Sequence, residues 1–320
     1  DSGAVRLRVP DDGATVVHDV IRGDTTFAHV HLDDPVIARA DGSVLYNFAV
    51  AVDDLDAGIT HVVRGEDHLS NTPKQLLVLE ALGAQPPVYA HLPLLYGSDG
   101  KKLSKRHGAA SVQELRDEGY LPEALRNYMA LLGWGSADDE TILSTEQLVA
   151  QFSIERVSRN PAQFDHQKLR WLNGRYMREL SVDELTERLE TYTGRSGLRA
   201  AVEISREKMQ TLADFWPLAG FVFDGPADDP TAREKWLDED GRAVLRQVRD
   251  ALSELEPFTQ EAVQGALESL VAALAVKPKQ IFQPIRVALA GRAISPGIFE
   301  TVGVLGRDET LRRIDGALKS

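Results

Sequence analysis

Apolar and polar positions follow two rhythms along the chain. Up to about residue 100, β-branched and aromatic runs alternate with the turn pairs Asp12-Gly13, Asp41-Gly42 and Asp99-Gly100, the pattern of short strands joined by tight turns. Residues 44–52, 60–63 and 88–96 read as strands. Between the second and third, Asn71 or Thr72 offers an N-cap and Pro73 fits the first turn. Leu76, Leu77, Leu79 and Leu82 then supply apolar positions, and Gly83 supplies a stop, so a helix is expected there. Strand, helix and strand in this order imply a right-handed parallel crossover. Beyond residue 110 the period becomes helical and stays so. Capping boxes recur at Ser111/Glu114, Ser144/Gln147, Ser181/Glu184 and Thr231/Glu234, each a helix start signal. Pro122, Leu125, Tyr128, Met129 and Leu132, followed by Gly133, outline one amphipathic helix. The acidic, proline-containing stretch 224–230 is the best boundary within the helical half.

Composition narrows the function classes. The 320 residues carry 36 basic and 49 acidic side chains, a net charge of −13, so any polyanion site must be a local patch rather than a basic coat. There is no cysteine, which excludes disulfides, thiol chemistry and cysteine-ligated zinc. No apolar run approaches a membrane span, and a soluble, cytoplasmic chain is expected. It opens Asp1-Ser2-Gly3 without an initiator methionine, as expected of a piece of a longer protein.

The sharpest candidate chemistry is the run Gly100-Lys101-Lys102-Leu103-Ser104-Lys105-Arg106-His107-Gly108, placed after a predicted strand and before a capped helix. Mobile ammonium groups beside a serine hydroxyl suit a triphosphate whose charge must be neutralised as it reacts. A Walker loop is excluded, because Gly97 and Gly100 enclose only two residues and Lys102 follows Lys101. Taken alone, the run also fits a solvated basic turn. Tyr46, the cluster Arg64-Gly65-Glu66-Asp67-His68 and the lysine loop all fall in or just after predicted parallel strands, at whose carboxyl ends ligands of open α/β sheets bind.

At these residues the chain resembles the bacterial glutamyl-tRNA synthetases, class I enzymes with a Lys-x-Ser-Lys-x signature matched by Lys102-Leu103-Ser104-Lys105-Arg106. The likeness runs from about Val5 to the C-terminus. It includes Leu45-Tyr46-Asn47-Phe48, Val63-Arg64-Gly65-Glu66-Asp67-His68, Leu121-Pro122-Glu123-Ala124-Leu125-Arg126-Asn127-Tyr128 and Lys168-Leu169-Arg170-Trp171-Leu172-Asn173. It implies an α/β then all-α fold: the C-terminal half of a Rossmann-type nucleotide-binding domain, then helical stem-contact and helical anticodon-binding domains. The implied boundaries are 1–100 for a partial catalytic domain that includes the end of an acceptor-binding insertion, 101–180 for the lysine loop and stem-contact region, and 181–320 for the anticodon-binding domain, with a subdivision near 224–230.

The resemblance also implies roles. Lys102, Ser104 and Lys105 would be catalytic, and Lys102, Lys105, Arg106, Leu94 and Leu95 would bind ATP, the leucines through backbone groups. Tyr46 and Arg64 would bind glutamate. Arg170, Arg175, Lys208, Arg286 and Ser295 would contact tRNA. Read from the residues alone, Arg64 could instead pair with Glu66 or Asp67, and Tyr46 could be a half-buried core aromatic. The implied reaction forms glutamyl-adenylate from glutamate and ATP, with Mg²⁺ on the phosphates, and passes the glutamyl group to the 3′ end of tRNA. The implied partners are glutamate and a glutamate-type tRNA, with glutamine-type tRNA open because Lys208 stands where relatives often carry arginine. A monomer with no membrane partner is expected.

Two basic islands fit the tRNA reading. Residues 155–178 hold six Lys or Arg and two acids with Trp171 and Tyr176 interleaved, and residues 277–292 hold four basic residues and no acid. Either island also reads as a solvated helix face. His29 and His31 read as a same-face pair on a strand, more suited to an ordinary surface than to a metal. Asp53-Asp54 reads as the end of a strand with a turn or cap role. The His-x-Gly-His signature of class I synthetases is not found, since none of the eight histidines is followed two residues later by glycine. The chain alone is therefore expected to be inactive in adenylate formation. The alternatives are a non-catalytic tRNA-binding module derived from such an enzyme, and an ATP-binding regulatory protein.

Overall fold

A computed structural model describes residues 3–104, 111–136 and 140–319. The chain divides into two compact units, one formed by 1–111 with 125–166 and the other by 112–124 with 167–320. No helix among the described residues is long and apolar enough to cross a membrane.

The first unit is α/β. Strand β1 (Val5–Arg6) is followed by the antiparallel hairpin β2 (Ala14–Asp19) and β3 (Gly23–Ala28), then by β4 (Val36–Ala38), which pairs with β1. Helix α1 (Tyr46–Asp56), β5 (His61–Gly65), α2 (Thr72–Ala81) and β6 (Val88–Leu92) come next. They complete a four-stranded sheet of order β3-β2-β6-β5. The expected strand–helix–strand crossover is present, β5 and β6 running parallel with Arg64 beside His91.

Four local expectations are corrected. Residues 44–52 form no strand; α1 occupies most of them. Val50 and Val52 suggest alternation, but Leu45, Phe48, Ala51, Val52 and Leu55 recur at helical spacing, and Ala51 is buried against Val78 and Leu79 of α2. Asp53 and Asp54 therefore lie in the last turns of a helix, where the Asp53 carbonyl accepts the Ala57 N–H. The 88–96 run breaks after Leu92, where Pro93 removes a donor. Leu95–Tyr96 forms β7, which pairs in parallel with β8 (Ala162–Gln163). His29 and His31 sit in a single 3₁₀ turn after β3. The two ring nitrogens of His29 meet the Asp12 carbonyl at 2.9 Å and the Thr15 hydroxyl at 3.0 Å, so that ring pins a turn.

The helices that follow are α3 (Val112–Asp117), α4 (Pro122–Leu131), α5 (Thr145–Gln151), α6 (His166–Glu179), α7 (Val182–Thr193), α8 (Arg199–Ser205), α9 (Phe215–Ala219), α10 (Phe221–Asp224), α11 (Pro230–Trp236), α12 (Glu239–Ser253), α13 (Gln260–Leu274), α14 (Pro278–Ala290) and α15 (Ile298–Lys319). The last is interrupted at Gly306, where φ is +73°. Among the described residues the second unit has two cores. Met177, Leu185, Leu189, Val202, Met209 and Phe215 build one; Leu245, Val248, Leu252, Leu267, Ile281, Ile285, Val302 and Ile314 build the other.

Capping boxes close at Ser144/Gln147 and Ser181/Glu184. At 231 the expectation fails: α11 starts earlier, with Pro230 in its first turn and Asp229 accepting the Ala232 N–H. An Asp-Pro pair thus outcompetes the threonine. Ser181→Ala is expected to destabilise the second unit by about 1 kcal/mol, read as a lower urea midpoint at unchanged slope.

Candidate functional site

The carboxyl end of β5 and the turn beyond it gather the first group of candidate residues. Arg64 is held entirely by neutral acceptors. Its Nε donates to His91 Nε2 at 3.1 Å, and its Nη2 donates to Thr72 Oγ1 at 2.9 Å and Gln75 Oε1 at 2.8 Å. The guanidinium lies 5.6 Å from the centroid of the buried Tyr89 ring, within cation–π range. Among the described residues Arg64 has no carboxylate partner. The ion pair weighed from the sequence is absent because each acid is engaged elsewhere: Glu66 pairs with Arg22, and Asp67 pairs with Lys102.

Tyr46 is brought to the same place by a polar chain. Gln75, which accepts from Arg64, donates to Asn47 Oδ1 at 3.0 Å, fixing the first turn of α1 beside α2. Tyr46 itself is 52% exposed, so it is not the core aromatic weighed from sequence. Its ring lies 5.9 Å from that of His68, with the hydroxyl 3.5 Å from Nδ1, too long for a strong bond.

The lysine loop begins as a tight hairpin. Gly97 N–H donates to the Lys101 carbonyl, Gly100 takes φ +71°, and Tyr96 bridges to Lys102. The Lys102 ammonium then reaches Asp67 Oδ2 at 3.0 Å, both groups being exposed. That hydrogen bond, opposed by burial and aided by the Lys102 charge, holds the Asp67 carboxyl below its ordinary value. A Cβ on Gly65 would stand 2.5 Å from Asp67 Oδ1, so glycine there lets the carboxylate fold back toward the lysine. Ser104 is partly buried. Lys105 and Arg106 lie outside the described residues. The Leu94 N–H donates to Glu66 Oε1 at 3.0 Å, and the Leu95 carbonyl accepts the Leu103 N–H. Only the remaining backbone groups of these leucines can serve a ligand.

In the second unit three candidates converge. Lys208 Nζ donates to the Ser295 carbonyl at 2.7 Å, and Arg286 Nε donates to the Ser295 hydroxyl at 3.0 Å. Burial lowers the Arg286 pKa. Burial and then the Arg286 charge lower that of Lys208, with Glu300 opposing. Ser295 is 2% exposed and donates to the Pro296 carbonyl, so it anchors two cations rather than facing outward. Arg170 is tied to Gln210 at 2.8 Å and Asp214 at 2.5 Å. Arg175 is exposed, four residues beyond the 46%-exposed Trp171 on α6, so the two share a face. A groove of about 660 Å³ is lined by Arg170, Lys208, Arg292 and the exposed Ile294.

Residues 1–171 match the catalytic domain of the class I tRNA synthetases (E and Q), and residues 184–318 match an anticodon binding domain. The chain belongs to this class I synthetase family. Its relatives include a glutamate–tRNA ligase of Caldicellulosiruptor saccharolyticus, 40% identical over 98% of this chain and 68% of its own length. Another, from Rhodospirillum rubrum, is 44% identical over 98% of this chain and 69% of its own. A crystal structure of a glutamate tRNA ligase from Elizabethkingia meningosepticum in complex with its amino acid superposes with a TM-score of 0.83 at 28% identity, covering 99% of this chain and 68% of that one. This synthetase chain thus spans about two thirds of the length of these relatives. Its relatives ligate glutamate to tRNA, and class I synthetases use ATP for that purpose. The α/β-then-helical order expected from sequence is the order this synthetase shows.

The sequence pattern gave no site role to Asp19, Thr72, Gln75 and His91, all buried. A signal was present: His91 is a polar residue inside the apolar run of β6, and Gln75 sits among the leucines of α2, where a polar group signals a hydrogen-bond network.

Proposed function

We propose that the first unit binds the side-chain carboxylate of glutamate at Arg64 and Tyr46 and the phosphates of ATP at Lys102, and that the second unit docks a glutamate-type tRNA. The observation that carries this reading is the state of Arg64. It is a permanent cation, immobilised by neutral acceptors, with Nη1 unpartnered among the described residues, so its charge is open to a planar anion. Tyr46 adds an exposed hydroxyl beside it. Lys102 is the mobile complement. Its exposed pairing with Asp67 is the weak kind that a polyphosphate can displace. Lys105 and Arg106, by the same chemistry, would share the phosphates. Ser104 and backbone groups of Leu94 and Leu95 complete the nucleotide side of the proposal. An Mg²⁺ ion would be carried on phosphate oxygens of the nucleotide.

For RNA, Arg286 and Lys208 are two cations braced by one serine, and Trp171 with Arg175 offers a stacking ring beside a cation. We assign Arg170 a bracing role through Gln210 and Asp214, and Ser295 an anchoring role. Residues 1–100 would then form the partial catalytic domain, 101–180 would supply the lysine loop and meet the tRNA stem, and 181–320 would meet the anticodon.

Two measurements test the proposal. Lys102→Ala is expected to weaken ATP binding about five-fold, roughly 1 kcal/mol for an exposed charge pair, by calorimetric titration; unchanged affinity would remove Lys102 from the phosphate site. Glutamate-type tRNA should bind with an affinity that falls steeply with salt, and Arg286→Ala should both weaken binding and flatten that slope. Salt-independent binding, or none, would overturn the RNA half. ATP binding without any tRNA effect would instead favour a regulatory protein.

A further inference from the structure

Arg64 is the outermost member of a buried polar chain. Asp19, at the end of β2, and His91, on β6, both have fully buried side chains and meet through His91 Nδ1 and Asp19 Oδ2 at 2.5 Å. Asp19 also accepts the N–H groups of Ile21 at 2.9 Å, Arg22 at 2.7 Å and His91 at 3.0 Å. Burial raises the Asp19 carboxyl pKa, but these bonds outweigh it and leave the group below its ordinary value. An ionised Asp19 has only lone pairs to offer, so the His91 proton must sit on Nδ1. Nε2 is then a lone pair, and it faces the Arg64 Nε–H at 3.1 Å. A ring that accepts from a guanidinium at Nε2 is neutral, and burial, opposed by Asp19 and aided by the Arg64 and His68 charges, holds the His91 pKa below its ordinary value. The order is carboxylate, neutral imidazole, guanidinium.

We propose that Asp19 and His91 are a positioning pair for Arg64: the buried carboxylate fixes the imidazole tautomer, and the imidazole lone pair fixes the guanidinium so that Nη1 faces the substrate. The proposal rests on the reading of Arg64 as the carboxylate-binding residue. The physics is that of any buried acid–imidazole pair, in which the acid selects which ring nitrogen donates. Here the selected nitrogen accepts from an arginine instead of a nucleophile. Thr72 and Gln75 saturate Nη2, so loss of the His91 acceptor frees the Nε edge to rotate about that remaining anchor.

The test uses Asp19→Asn, His91→Leu and His91→Gln in the whole chain. The asparagine amide can donate to Nδ1, which drives the proton to Nε2 and sets two donors against each other at Arg64. Leucine removes the acceptor, whereas the glutamine amide oxygen can replace it. Calorimetric titration with L-glutamate is expected to show at least a ten-fold loss in Asp19→Asn and His91→Leu and near wild-type affinity in His91→Gln, with ATP affinity unmoved. Imidazole ¹⁵N spectra should place the His91 proton on Nδ1 in the wild type and on Nε2 in Asp19→Asn. The Arg64 Nε–H resonance should be slow to exchange only in the wild type and His91→Gln.

The two failures are distinguishable. If Arg64→Ala binds glutamate as well as the wild type, or if the wild type does not bind it, the carboxylate reading falls. The ¹⁵N and Nε–H spectra then judge the pair by themselves. If Arg64→Ala loses glutamate while Asp19→Asn and His91→Leu keep it, the positioning pair alone is overturned. A wild-type His91 proton on Nε2 would overturn it as well.

Discussion

Arg64→Ala is expected to cost about 2–5 kcal/mol of glutamate binding, the usual loss when one partner of a hydrogen-bonded charge pair is truncated, or about 30- to 5,000-fold in affinity. Three features place the effect toward the upper end. The guanidinium is ordered before ligand arrives, being held by His91, Thr72 and Gln75. One face is covered by the buried Tyr89 ring, which excludes water from that side. No carboxylate among the described residues competes for the charge. Glutamine, which is neutral at its side chain, should lose far less. Calorimetric titration of both amino acids into both proteins checks the difference. Equal losses for the two would mean that Arg64 supports the fold of the pocket rather than the recognition of charge.

The largest expected effect on stability lies in the second unit. Arg313, on α15, is 5% exposed. It donates to the Phe221 carbonyl at 2.9 Å, the Leu289 carbonyl at 2.8 Å and Glu309 Oε1 at 2.6 Å. One side chain thus ties the first residue of α10 to the last turn of α14 and pairs with an acid one turn away on its own helix. Arg313→Ala would leave the Leu289 carbonyl without this donor, the Phe221 carbonyl with only the Gly225 N–H, and a carboxylate with half its support. A loss of about 3–5 kcal/mol is expected, seen as a lower urea midpoint for the helical unit at constant slope.

The Glu309 carboxyl is held down to about 2 from its ordinary 4.5, first by the Arg312 hydrogen bond, opposed by burial and aided by Arg313. A depressed folded-state value stabilises above the unfolded value and is lost as pH falls through the folded one. Glu309→Gln should therefore narrow its stability gap to the wild type between about pH 4.5 and pH 2. A gap that stays constant over that range would contradict the assignment.

Sequence made the order of elements legible wherever one signal dominated. Pro73 and the α2 leucines announced a helix between parallel strands, and Ser181 with Glu184 announced a cap. Residues 44–52 misled because Val and aromatic residues favour strands, whereas the burial of Ala51 against α2 is tertiary and invisible to local pattern. Of the site, Arg64, Tyr46 and Lys102 were legible through their motifs. What holds Arg64 was not, because Asp19, His91 and Gln75 are far apart in sequence and meet only through the parallel register of β5 and β6 and the adjacency of β2. Ser295 was singled out as a tRNA contact. Its inward hydroxyl and carbonyl, each holding a cation, could not be seen without the packing of α14 and the segment after it.

On the proposed function, the amino-acid carboxylate and the nucleotide phosphate meet in one cleft. A crystal structure of this chain with a stable glutamyl-adenylate analogue tests that most directly. The side-chain carboxylate should lie within hydrogen-bond reach, about 2.7–3.2 Å, of Arg64 Nη1, with the Tyr46 hydroxyl beside it and the phosphate facing Lys102. An analogue seated elsewhere, or with its phosphate toward Arg64 and its carboxylate in solvent, would contradict the account.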